Sequence, residues 1–448
     1  MERRSARRLF IGLVTFVALL AMIGSVFVVQ NPMGAKAAAP SLIVSHGIRL
    51  RPQYRYVGAV HAGVTYGCQT RSTCFGPKQY ENAYEITPLL NRGITGKGRT
   101  IVIIDAFQSP TIQHDLQKFD SLFGLNDPTL NVIAPDGLTP FNPNDGNQVG
   151  WSAEITLDVE WAHSVAPGAT IDLVLAKSNQ DVDILSATSY AIEKNLGDVI
   201  SQSFGEGETC VDPTLLKQEH EVFQEAVRKH ITLFASSGDQ GAAQPTCDGS
   251  NFFLSASSPA TDPFVTAVGG TTLNASGTTG VYGSETAWSG SGGGYSTVYA
   301  RPEYQEGVVR SKFRGEPDVS MDADPNSGVL VVWSSAIYGP DQVFIFGGTS
   351  ASSPTWAGVL ALTDQLAHHR QGFINDAIYR LGHSRYYNAA FHDITSGNNS
   401  FDPGNGVING YNAGKGWDPV TGWGSPKVED FAPLLIAFNH GDDFAHIR

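Results

Sequence analysis

Continuous apolar runs, rather than alternating ones, dominate the hydrophobic pattern of this chain. One is Thr100-Ile101-Val102-Ile103-Ile104-Asp105, entered from the glycine-rich Gly96-Lys97-Gly98. Others cover Thr170 to Ala176, Asp198 to Ser201, Ile231 to Ala235, Phe264 to Val268 and Gly328 to Val332. A strand that is apolar on both faces is buried on both, which points to a parallel sheet covered by helices. Helical patterns fall between the runs, at Ile184 to Leu196 and Leu215 to His230. The alternation predicts an α/β fold: a doubly wound, mostly parallel sheet with helices on both faces and loops gathered at the strand ends. Residues 277–300, rich in Gly and Ser, read as a surface loop. No internal repeat is visible, so one domain over residues 79–440 is the simplest division.

Ahead of that domain, residues 38–78 lack periodicity and read as a short N-terminal arm or residual pro-segment. Residues 1–37 have a different texture. Arg3, Arg4, Arg7 and Arg8 precede an uncharged run from Leu9 to Val29, and small residues follow at Ala35-Lys36-Ala37-Ala38. This is the build of a signal peptide. The apolar run is also long enough to span a bilayer as a signal anchor. The expected location is secreted and extracellular, or membrane-anchored through residues 9–29, with membrane contact only if that segment is retained.

The cysteines suit an oxidising compartment. Cys68 and Cys74 enclose a short loop, and Cys210 and Cys247 can bridge two others, although four cysteines allow three pairings. Zinc is disfavoured, because no C-x-x-C pair or neighbouring His accompanies them.

Composition narrows the partners. Of 448 residues, 41% are hydrophobic, which supports a sizeable core and excludes general disorder. A formal charge of −14 excludes nucleic acid, whose binding needs clustered Lys and Arg. Few charges with an acidic balance suit work at low pH, where carboxylates are neutral. A monomer acting on protein or peptide substrates is expected.

The chemistry centres on Gly347-Gly348-Thr349-Ser350-Ala351-Ser352-Ser353-Pro354, between a strand-like Gln342 to Phe346 and a helical Trp356 to Leu366. A serine on a glycine turn entering a helix is exposed near unpaired N–H groups. The G-T-S-x-x-x-P pattern resembles that of subtilisin-like serine peptidases. Its hydroxyl needs a base, yet none of the 12 histidines is followed by Gly-Thr, as the base of that fold would be. His163 reads as a core or helix-end residue. Glu154 and Asp158, four apart on a helix, share one face among Trp151, Ile155, Leu157, Val159 and Trp161. Held together and partly buried, the pair should share a proton. Glu154 can then accept the proton of Ser350 at mildly acidic pH, with Asp158 orienting it. Asp239, in Ser236-Ser237-Gly238-Asp239-Gln240-Gly241, can donate to a developing oxyanion only when protonated. Both carboxylate roles demand acid.

The chain resembles the sedolisin family, serine-carboxyl peptidases of subtilisin-like fold. Similarity runs from Gln79-Tyr80 to Gly422-Trp423-Gly424-Ser425-Pro426 and includes Ala267-Val268-Gly269-Gly270-Thr271, Pro317-Asp318-Val319 and Ala323-Asp324-Pro325. The resemblance implies Ser350 as nucleophile, Glu154 as general base, Asp158 as its partner and Asp239 as oxyanion stabiliser. It implies that Ser203, Phe204 and Gly205 line a cleft where substrate pairs like an added strand. It also implies one structural Ca²⁺, held by Asp393, Asp418 and the carbonyls of Ile394, Gly414 and Gly416. The implied activity is endopeptidase cleavage in acid through an acyl-enzyme. The rivals are a tripeptidyl-peptidase and a catalytically silent binding protein on the same scaffold. A glycosidase built on Glu154 and Asp158 would leave Ser350 and Asp239 without a role. Members of the family carry a large folded prodomain. The roughly 40 residues between Ala38 and Gln79 are too few for one, which leaves the activation route open between self-cleavage, a short arm that blocks the cleft and a domain that folds unaided.

Overall fold

The computed structural model describes residues 47–48, 53–61 and 63–440. The expected signal or anchor segment, residues 1–37, lies outside the described residues. Among the described residues no helix is long and apolar enough to cross a membrane.

Eight strands make the central sheet: β1 (Thr100–Ala106), β2 (Leu130–Ile133), β3 (Thr170–Ala176), β4 (Val199–Gln202), β5 (Thr232–Ser236), β6 (Thr266–Ala275), β7 (Tyr282–Ala287) and β8 (Val319–Asp322). Their order is β7-β6-β5-β4-β1-β3-β2, with β8 also on β6. Every pairing is parallel except β6 with β7. The continuous apolar runs have the cause inferred for them. In β1, Ile101 and Ile103 face one core cluster while Val102 and Ile104 face another. The first cluster holds α1 (Gly146–Val165) and α4 (Thr349–Ala367); the second holds α2 (Asp181–Glu193) and α3 (Pro213–Arg228). Each fully buried Ile or Val contributes roughly 1.5–3 kcal/mol, so a charge at any of these positions would open a face of the sheet.

Helix α1 starts at Asp145, whose side chain accepts the Asn147 N–H at 2.9 Å. It is buried nearly all round, polar residues included. It packs closely on α4 at Gly358, where a Cβ would come within 2.7 Å of Val165. The same Cβ would lie 3.3 Å from the Ala162 carbonyl, and Glu154 precedes Ala162, as Ser350 precedes Gly358, by eight residues, about 12 Å of helix. Close packing of the two helices therefore brings the two side chains to the same end.

Three expectations need correction. The run Gly328 to Val332 is not in the parallel sheet. It enters β9 (Val329–Ser335), which pairs antiparallel with β10 (Gly339–Gly347). It reads as continuous because Val329 and Val331 face the first cluster, while Leu330 and Val332 face a third cluster with Cys68, Cys74 and Phe119. Periodicity does not separate a parallel strand from an antiparallel one covered on both sides. Residues 277–300 are no loop, since they carry β7 and the strand Gly294–Ala300. The arm is also structured: Gln53–Ala59 adds an edge strand to β10, with Gln53 opposite Gly347. Tyr54 packs there against Trp333 and Phe346, with centroids 5.5 and 5.3 Å away. The cysteines pair as Cys68–Cys74 and Cys210–Cys247.

Candidate active site

Helix α4 begins at Thr349, seven residues before the expected Trp356, so Ser350 lies in its first turn. Gly348 sits just before it at φ 104°, and a Cβ there would lie 2.5 Å from Asp239 Oδ2. Glycine is required on both counts. The proline of the G-T-S-x-x-x-P pattern has a local task. Pro354 lacks the N–H that would bond the carbonyl of Ser350 four residues earlier. Ser203 Oγ donates to that carbonyl at 3.4 Å, and Ser350 Oγ donates to the Ser203 carbonyl at 3.4 Å. Ser203 follows β4 directly, so the serine helix is tied to a strand end of the parallel sheet.

Glu154 and Asp158 project from the buried face of α1 and are almost fully enclosed, beyond the partial burial expected for them. Burial first, then the neighbouring Asp158, pushes the carboxyl of Glu154 well above its ordinary range, and the nearby Ser350 offsets part of the rise. Asp158 is raised by burial and then by Asp105, with the nearby Ser203 offsetting part of the rise, and among the described residues neither of its oxygens has a hydrogen-bond partner. Asp105, near the end of β1, is raised by burial and by Glu154, and among the described residues neither of its oxygens has a hydrogen-bond partner. Three carboxyls therefore share one buried pocket. Like charges so placed cannot all ionise, so at least one proton is held in common. Sequence reasoning misses Asp105. Its one local signal is an acid closing an otherwise apolar strand.

Asp239 follows β5 and meets the start of α4. Its Oδ1 accepts from the Thr349 N–H at 2.7 Å and from Thr349 Oγ1 at 2.9 Å. Burial raises its carboxyl, and these two bonds offset part of the rise. With Oδ1 occupied as an acceptor, a proton on this acid resides on Oδ2. Phe204 stands 6.1 Å from Trp151 by ring centroids, and Gly205 passes so near Ser257 that a Cβ would overlap its Oγ. His163 is fully buried, 3.1 Å from Asp120 and apart from this group.

The residues implied for calcium also come together. Asp393 Oδ1 accepts from Tyr387 OH at 2.9 Å and from the Gly416 N–H at 3.0 Å. Asp418 accepts from the N–H groups of Gly414, Val420 and Thr421. Burial holds the Asp418 carboxyl up at about 6, and those N–H groups offset part of the rise. Among the described residues no main-chain N–H donates to the carbonyls of Ile394, Gly414 or Gly416. Nor are three His, Cys, Asp or Glu grouped among them to hold a metal. Two acids with open carbonyls fit a hard cation that takes oxygen ligands, and do not fit zinc.

The model of the subtilase family matches residues 141–380. Kumamolisin of Bacillus sp. (strain MN-32) is 32% identical over 370 residues, covering 79% of this chain and 62% of that protein. Sedolisin of Pseudomonas sp. (strain 101) is 32% identical over 362 residues, covering 75% and 57%. The chain thus spans about three fifths of the length of these curated relatives. The solved structure of Pseudomonas sedolisin, a serine-carboxyl proteinase complexed with two molecules of pseudo-iodotyrostatin, superposes with a TM-score of 0.69. It shows 29% identity over 83% of this chain and 99% of that one. The chain belongs to the subtilase family, within its sedolisin branch.

Proposed function

We propose that the chain is an endopeptidase that hydrolyses peptide bonds at acidic pH through an acyl-enzyme on Ser350. The observation that carries this reading is the enclosed Glu154 carboxyl, raised by burial and Asp158 and lowered in part by the nearby Ser350, while Asp239 is bonded to the residue just before the serine. Glu154, ionised while the pocket's shared proton sits on Asp158 or Asp105, accepts the Ser350 proton as Oγ attacks the carbonyl carbon. Asp239 Oδ2–H donates to the oxyanion. Collapse of the tetrahedral adduct breaks the C–N bond, and Glu154 gives its proton to the leaving amine. Water then attacks the ester with Glu154 again as base, releasing the acid and restoring Ser350. Activity has an acid limb, where Glu154 becomes protonated, and a basic limb, where Asp239 loses its proton.

The geometry around Asp393, Ile394, Gly414, Gly416 and Asp418 supports these residues as the holders of Ca²⁺. The ion would supply positive charge that joins two glycine-rich loops, away from the reacting atoms.

The test is digestion of a denatured protein from about pH 3 to 7, with products sized by mass spectrometry. Ser350→Ala, Glu154→Ala and Asp239→Ala should each lower kcat/KM by about 10²–10⁴ with the circular dichroism unchanged. Full activity in Glu154→Ala would overturn the mechanism, and products limited to tripeptides would overturn the endopeptidase assignment.

A further inference from the structure

Thr349 holds the acid of the candidate oxyanion site by more than one bond. Its side chain is 1% exposed, and its methyl packs so close to Gly270 that a Cβ there would lie 3.3 Å from Cγ2. A β-branched side chain pinned in this way keeps its χ1, so Oγ1 stays between Gly238 and Asp239. Three groups surround that oxygen. The Gly238 N–H donates to it at 3.1 Å, and the Gly238 carbonyl and Asp239 Oδ1 stand as acceptors at 3.1 and 2.9 Å. A hydroxyl has one proton, so it serves one of the two acceptors at a time. The Gly238 carbonyl does not depend on it, since the Gly292 N–H donates there at 2.7 Å. The proton is therefore free to follow the charge on Asp239. When the acid is neutral, Oδ1 needs only the Thr349 N–H, at 2.7 Å. When the acid is ionised, the hydroxyl turns to Oδ1 and adds a charge-assisted bond. The other oxygen, Oδ2, lies against Gly348, where a Cβ would stand 2.5 Å away, and takes no bond from Thr349.

We propose that Thr349 is a positioning residue for the reaction: it fixes Asp239 by Oδ1, leaves Oδ2 to face the substrate, and through its hydroxyl sets the upper pH limit of activity. The inference rests on the peptidase reading above and adds how that site responds to pH. A donor that prefers the carboxylate to the acid lowers the pH at which the proton is lost. Burial acts the other way and is the largest influence on Asp239, with the N–H and the hydroxyl of Thr349 opposing it. Among the described residues no cation adds to these influences. The titratable group that faces Asp239 from α1 is Glu154, whose own carboxyl Asp239 helps to raise. Thr349 is thus the group that answers a charge on Asp239.

The test compares the full chain with Thr349→Val, Thr349→Ala and Thr349→Ser. The first reading is kcat/KM on a denatured, fluorescently labelled protein from about pH 3 to 9. In Thr349→Val and Thr349→Ala, which lack the hydroxyl, the basic limb should move up by about one pH unit. Thr349→Ala sets no methyl against the Gly238 N–H, so it reports even where Val does not fit. Thr349→Ser, which keeps the hydroxyl, should hold the parent limb. Loss of packing alone would lower the profile and leave the limb in place. The second reading needs no cleavage. In the full chain carrying Ser350→Ala, the carboxyl C=O stretch of Asp239 is isolated by infrared difference against Asp239→Asn, and its titration midpoint is followed. Adding Thr349→Val or Thr349→Ala should raise that midpoint by the same amount. A limb and midpoint unmoved in both hydroxyl-free variants, or moved as far in Thr349→Ser, would overturn the proposal. A chain that cleaves nothing at any pH, while the midpoint rises, overturns the peptidase reading and supports the hold of Thr349 on Asp239. Cleavage with a midpoint that stays in place overturns the proposal alone.

Discussion

Replacing Glu316 by Gln tests how far this fold depends on acid. The side chain is fully buried in the strand Phe313–Glu316, opposite Gly294. Burial pushes its carboxyl up to about 8, with Arg314 pulling the other way. Unfolded, the same acid titrates near 4.5. Between those values the folded chain keeps a proton that the unfolded chain has released, so stability falls as pH rises. Below the lower value both states are protonated, and nothing is lost. The slope is about 1.4 kcal/mol per pH unit for one group. From pH 4.5 to 7 this acid alone removes about 3 kcal/mol, against a typical total stability of about 5–15 kcal/mol. Glu316→Gln keeps the shape and stays neutral throughout. Urea unfolding followed by circular dichroism, in half-unit steps from pH 4 to 7, should show the variant gaining about 3 kcal/mol on the parent across that range. A hydrogen bond lost to the amide would offset the curves equally at every pH. Parallel curves would therefore refute the reasoning. Glu219, also held up at about 8 by burial and then by Asp262, should behave alike.

Other outcomes follow from the site. Asp105→Asn removes one of the acids that raise the pocket's carboxyls, so the acid limb of the kcat/KM profile should move to lower pH; an unmoved limb would separate Asp105 from the base. Gly348→Ala sets a Cβ 2.5 Å from Asp239 Oδ2 at φ 104°, and should cost at least about 1–3 kcal/mol of stability or displace Asp239, lowering kcat/KM. Thermal unfolding and kinetics of that variant read the two effects apart. Calcium should raise Tm, chelator should reverse the rise, and Asp418→Asn should abolish both responses; a calcium shift surviving in Asp418→Asn would place the ion elsewhere.

Much of the candidate site is legible in local motifs. Ser350 stands out by its motif, whereas Glu154, Asp158 and Asp239 gain meaning only when taken together with it, and folding places Glu154 near Ser350 and links Asp239 to the residue before the serine. The serine needs a helix N-terminus, the acids need one helix face, and Asp239 needs a turn after a strand. Asp105 is not legible in this way, because an acid at a strand end acquires meaning only from what faces it across the sheet. The role of Pro354 is equally hidden, since the carbonyl it frees is taken up by Ser203, far away in the chain.

The sequence by itself determined the class of fold, because a strand buried on both faces must be apolar on both faces. It also set the expectation of chemistry in acid, because none of the histidines is followed by Gly-Thr and carboxyls are left as the candidate bases. Tertiary structure decided what depends on close approach. Packing at Gly358 aligns α1 with α4, enclosure raises the carboxyls of Asp105, Glu154 and Asp158 together, and the Gly328–Val332 run goes to an antiparallel sheet. Only folding could show that an arm without periodicity adds a strand to β10 and buries Ile48 in the core cluster that holds α2 and α3. Periodicity records which faces of a segment are buried; it does not record which distant segment buries them.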